Sequence, residues 1–134
     1  MRHLIVLIFF VVFAVGCTHE NDFPEKNFPV VLTSQVELNG EQLIFTSAIE
    51  ALEGEALDHG FIISRTVRSF PITWDHKISL GPISSPGNFT AENDYNLVDN
   101  RWYILKSFII TDNSHVYGIP IAFSVKAGKL QTAI

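Results

Sequence analysis

Cysteine occurs once in the 134 residues, at position 17. A single thiol closes no intrachain disulfide and builds no thiolate metal cluster, so any fold must be held by its apolar core. Basic side chains are scarce as well, nine Lys and Arg against fourteen Asp and Glu, for a formal net charge of −5. Such a field repels a phosphate backbone and excludes nucleic acid as a partner. The chain has no Gly-x-Ser-x-Gly elbow, no glycine-rich phosphate loop and no His-x-His or His-x-x-x-His spacing. No catalytic residue, cofactor or metal ligand is therefore expected. The apolar run from Leu4 to Val15 has twelve residues, about 18 Å of helix against roughly 30 Å of bilayer hydrocarbon, and fails as a transmembrane span on length alone.

That run nevertheless has an obvious use. Met1-Arg2-His3 precedes it, and Gly16 and Cys17 follow, which gives the basic, apolar and small-residue regions of an export signal. Ala14-Val15-Gly16-Cys17 resembles the lipobox of bacterial lipoproteins, in which the cysteine becomes the mature N-terminus. The resemblance implies a cleaved signal peptide over 1–16 and a thioether-linked diacylglyceryl group on Cys17. Two or more acyl chains make a durable anchor where one is marginal, so the expected partner of this end is a membrane. Thr18 stands where Asp would favour inner-membrane retention, which points to the outer membrane, on either leaflet. Residues 17–28 are polar and read as the acylated cysteine and a tether.

Beyond the tether no segment sustains a helical repeat. Apolar residues recur at period two in seven runs, 30–36, 42–52, 58–65, 77–80, 87–95, 101–111 and 116–125, separated by Gly, Pro, Asn and Asp. In 42–52 the alternation sets Leu43, Phe45, Ser47, Ile49 and Ala51 on one face, as a strand with one core side requires. Residues 48–57 contain helix formers, but Gly54 interrupts them. The predicted fold is all-β, a single two-layer immunoglobulin-like sandwich of about seven strands over 29–126, with 127–134 a C-terminal tail.

Leu97 and Tyr103, six positions apart and opening an alternating strand, resemble the tyrosine corner of fibronectin type III domains. There the ring fills one end of the sandwich and its hydroxyl bonds backbone a few residues upstream. The wider pattern, Gly60-Phe61, Gly87-Asn88-Phe89, Tyr103 to Phe108, then Tyr117-Gly118 through Phe123, is similar to the variety of this module found in surface lipoproteins of Bacteroidota. Asp99 and Arg101 stand where that family commonly carries Pro and Thr. The tryptophan that many such domains place on the second strand is missing too, and Phe45 is the candidate for its volume.

Candidate contact residues fall in 65–76, where Arg68, Phe70 and Trp74 share a long loop between strands. Aromatics beside arginine favour protein contact, and Trp74 suits stacking on a sugar ring; covering the sandwich edge is the competing role. Asp58-His59, Asp75-His76 and His115 are the only groups that invite acid/base or metal chemistry, and neighbours on a strand face opposite ways. The expected function is thus a non-catalytic, lipid-anchored module at the cell surface that binds a glycan or protein, for adhesion or as an accessory. A periplasm-facing scaffold or assembly subunit is the alternative, and an envelope hydrolase using the Asp-His pairs a more distant one.

Overall fold

The alternation seen in the sequence is what the chain buries. In a computed structural model describing residues 27–65 and 76–133, Leu43, Phe45, Ser47 and Ile49 are all buried while Ile44, Thr46 and Ala48 between them are partly exposed; Ala51, expected on the buried face, is exposed at the end of the strand. Among the described residues ten strands form: β1 (Val30–Val31), β2 (Gln35–Asn39), β3 (Gln42–Ala51), β4 (Ala56–Arg65), β5 (His76–Ile83), β6 (Gly87–Glu92), β7 (Tyr103–Ile110), β8 (His115–Tyr117), β9 (Ile121–Lys126) and β10 (Lys129–Ala133). All pairings are antiparallel. In one sheet β3 pairs with β1 and β2 and also with β6; the other runs β10-β9-β7-β4-β5, with β8 beside β7.

Ten strands instead of seven arise from two interruptions and one addition. β1 and β2 lie end to end along β3, and β8 and β9 lie end to end along β7. Between β1 and β2 the chain leaves the ladder at Leu32, whose carbonyl accepts hydrogen bonds from Ser47 Oγ of one sheet and Ser107 Oγ of the other, each at 2.9 Å. Between β8 and β9 the Gly118 amide bonds the Ser107 carbonyl at 2.9 Å, and Pro120 has no N–H to continue. A Cβ on Gly118 would lie 2.3 Å from Ser107 Oγ and 2.4 Å from the Leu32 oxygen, so only glycine fits at this junction of the two sheets.

The addition is β10. Of residues 127–134, expected as a tail, Ala127 (φ 50°) and Gly128 (φ 73°) instead form a turn and Lys129–Ala133 pair back on β9. Positive φ at both central residues is the habit of a two-residue hairpin turn that matches strand twist. Ala at the first of them hides the signal, since Asn or Asp is usual there.

Phe45, Phe61 and Phe123 have no solvent contact and meet at the centre, with Phe45 5.8 Å from each of the other two rings. Phe89 extends this chain of rings on one side of Phe61 at 5.1 Å, and Tyr103 extends it beside Phe123 at 5.9 Å. Phe45 does occupy core volume between the sheets. Phe108 is also fully buried, but on the outer face of β7, opposite Gly60 and under Lys77 Nζ, 4.7 Å from its ring. Gly60 leaves room there: a Cβ would strike the Ile78 carbonyl at 2.0 Å.

Antiparallel order gives the sandwich two distinct ends. One gathers 27–29 with the connections 52–55, 84–86 and 111–114. The other gathers 40–41, 93–102 and 127–128, together with Arg65 and His76.

Candidate functional site

The end bearing Arg65 and His76 has a fixed floor. Tyr103, paired with Arg65 at the first rung of β7, is 2% exposed. Its hydroxyl accepts a hydrogen bond from the Val98 amide, five residues upstream, at 2.9 Å, and Leu97 packs part-buried against the core. The structure thus brings Leu97 and Tyr103 together through the connection between them. The rest of that connection is bonded down as well. Asn93 folds its side chain onto Tyr95, donating to the Tyr95 carbonyl at 2.9 Å and accepting from its amide at 3.2 Å. The Asn100 amide bonds the Val125 carbonyl at 2.7 Å, and Asp99 Oδ1 accepts from the Ala127 amide at 3.1 Å. Asp99 thus fastens this connection to the β9–β10 turn.

His76 sits on the rim of this floor. Its Nε2 lies 2.6 Å from Asp94 Oδ1, and its ring stacks on Tyr95 at 5.1 Å and 22°. Tyr95 in turn meets Tyr103 edge-on at 6.3 Å. A histidine–carboxylate pair on an aromatic shelf thus joins β5 of one sheet to the strand connection leaving the other. Sequence reasoning misses Asp94, which a whole strand separates from His76, and no local pattern signals such a partner.

Asp58 and His59 do face opposite ways, and each has its own task. Asp58 accepts from Lys77 Nζ at 2.7 Å, Ser79 Oγ at 2.6 Å and the Gly81 amide at 3.1 Å. Burial opposes its ionisation, but those three hydrogen bonds and the Lys77 charge outweigh burial and hold the carboxyl below its ordinary value of 3.8. His59 is buried, with Nδ1 2.7 Å from the Gly81 carbonyl and its ring edge-on to Phe89 at 5.0 Å. Both residues therefore hold the irregular β4–β5 pairing around Gly81, which has φ +85°. His115 is exposed on β8. Among the described residues no three His, Cys, Asp or Glu side chains are grouped to hold a metal.

At the opposite end a groove of about 430 Å³ lies where the chain arrives, lined in part by Asn27, Glu53, Glu55, Thr111 and Asp112. Asn27 Nδ2 donates to Glu53 there. Four residues singled out from sequence, Cys17, Arg68, Phe70 and Trp74, lie outside the described residues, as does Asp75. Among the described residues no helix is long and apolar enough to cross a membrane. No protein-family model matches the chain, and no curated protein or solved structure matches it either.

Proposed function

We propose that the chain is a non-catalytic, lipid-anchored protein of the bacterial envelope, whose fibronectin type III-like sandwich acts as a contact module for adhesion or as an accessory. The observation that carries this reading is the polarity of the sandwich. The chain reaches the domain from Cys17 at Asn27, whereas 66–75, with Arg68, Phe70 and Trp74, is joined to the opposite end through Arg65 and His76. β4 alone runs ten residues between the two ends, about 30 Å at strand rise. Acyl chains on Cys17 would lie beneath one end and leave the other to meet a glycan or a protein.

Two features support the fibronectin type III identity. Once the interrupted strands are joined, β1/β2, β3 and β6 form three lines in one sheet and β5, β4, β7 and β8/β9 form four in the other, with β10 added. The Tyr103 hydroxyl on the Val98 amide is the contact a tyrosine corner makes. Thr18 after the cysteine favours the outer membrane.

Intact mass of the membrane-extracted protein tests the anchor: cleavage before Cys17 with added acyl mass is expected, and an unmodified Cys17 overturns it. Protease shaving of intact cells tests the surface leaflet, where degradation is expected. Trp74→Ala should weaken ligand binding and leave the melting temperature unchanged. A second reading, a periplasmic scaffold that gains a partner strand, draws on β6, which pairs only with β3 among the described strands. Survival of the protein under shaving would favour it.

A further inference from the structure

Strand β1 lies on a sheet edge, and its outward side has the wrong polarity for water. Phe28, Val30 and Leu32 alternate with buried Pro29 and Val31 and are 60%, 42% and 43% exposed. On the facing edge of the other sheet Ile119, 64% exposed, directly follows Gly118, which is packed against the Leu32 carbonyl. Ile119 thus directly follows the residue at which the two sheets meet beside Leu32. Farther along the same edge the polarity reverses, for the exposed residues of β2 are Gln35, Glu37 and Asn39. Sheet edges are ordinarily blunted by charge, and a contiguous exposed apolar patch marks an interaction surface. This edge is polar in its far half and apolar only in the half that adjoins the arriving chain.

The geometry points to this stripe as the face on which the domain rests against a zwitterionic lipid surface, with the Asn27 end of that edge down, an inference that builds on the lipid-anchored reading above. Nine residues, or ten residue steps, separate Cys17 from Asn27, at most about 35 Å when fully extended. An acylated chain therefore holds Phe28 within reach of the bilayer at all times. Tethering of that length gives an effective concentration in the millimolar range, at which shallow apolar insertion suffices without a spanning segment. Charge selects the lipid. Glu53, Glu55 and Asp112 border the point where the chain arrives, and carboxylates are repelled by anionic headgroups but not by amine-bearing zwitterionic ones.

The test uses the full-length acylated protein in phosphatidylethanolamine–phosphatidylcholine vesicles whose acyl chains carry bromine, a short-range quencher of tryptophan. Phe28→Trp and Ile119→Trp are compared with Asn39→Trp at the far end of the same edge, each after subtraction of the wild-type signal. Intact mass is measured on each sample. Emission from the first two should fall at least about twofold, as insertion to the headgroup–acyl boundary requires, while Asn39→Trp stays unchanged. Equal quenching at all three positions in acylated protein overturns the lipid contact and leaves the anchor standing. Unquenched emission in a protein that sediments as a dimer also overturns it and assigns the stripe to a second copy of this chain. Absence of acyl mass removes the anchor, and the resting face with it.

Discussion

Gly118→Ala is the sharpest probe of how the two sheets are joined. The new methyl would stand 2.3 Å from Ser107 Oγ and 2.4 Å from the Leu32 oxygen, when ordinary carbon–oxygen contact begins near 3.4 Å. Ser107 Oγ is the end of a short side chain and can rotate away. The Leu32 oxygen is backbone and can recede only if β1 shifts. Receding strains both hydroxyl bonds to that carbonyl, each 2.9 Å and each worth about 0.5–1.5 kcal/mol. Overpacking adds about 1–3 kcal/mol, so the total expected is about 2–6 kcal/mol. In urea unfolding followed by tryptophan emission, a slope of about 1–2 kcal/mol/M turns this into a midpoint shift of about 2 M. Ser107→Ala alone removes one of two donors to the carbonyl and should cost about 1 kcal/mol. It should not rescue Gly118→Ala, because the backbone oxygen remains in the way. A Gly118→Ala protein within about 0.5 kcal/mol of wild type, or full rescue by Ser107→Ala, would refute the account of this junction.

Asp58→Asn should lower stability at neutral pH, and the gap to wild type should close in acid. The folded carboxyl titrates below 3.8, so its contribution is present above that value and is lost as pH falls through the folded pKa. Urea midpoints of the two proteins from pH 7 to pH 2 check this, and a gap that stays constant to pH 2 contradicts it. Tyr103→Phe keeps the ring in the core and strands the Val98 amide, at a cost of about 1–3 kcal/mol; the same melts measure it, with faster hydrogen exchange at Val98 expected beside unchanged exchange at Phe45. A protease site inserted between Asp112 and Asn113 should be cut more slowly on vesicles than in detergent. The same site between Gly40 and Glu41 should be cut at similar rates in both, and equal slowing at the two positions would argue against the proposed orientation.

What the sequence discloses is set by how local the cause is. Period-two burial in β3 is written in consecutive residues, so its face, its length and the core position of Phe45 all follow from the order of amino acids alone. Leu97 and Tyr103 are six apart and belong to one connection, which keeps their relation within reach. The breaks at Leu32 and Gly118 are not legible, because each exists to meet the other across the two sheets, 86 residues apart in a chain of 134. β10 is hidden for a different reason. Its turn has Ala127 at φ 50°, and the strand carries one part-buried residue, Leu130, so neither turn residue nor alternation announces it. His76 and Asp94 meet only because β5 and the connection after β6 come together at one end of the sandwich.

The proposed orientation relative to a membrane follows from parity more than from any single residue. When every pairing is antiparallel, connections alternate between the two ends, and a chain that arrives at one end leaves its first, third and fifth connections at the other. Counting β1/β2 as one line, the third connection is 66–75 and the fifth is 93–102. Arg65 and His76, which flank that third connection, and the loop fixed by Tyr103 are thus set at the same end by strand count alone, as are 40–41 and the β9–β10 turn. Gain or loss of one strand between Asn27 and Arg65 would reverse the arrangement and carry Arg65 and His76 to the end where Asn27 lies. Interruption within a line, as at Leu32 and Gly118, leaves it intact because the chain continues in the same direction. The breaks that multiply the strand count are therefore neutral for presentation, and free to serve as the places where one sheet is bolted to the other.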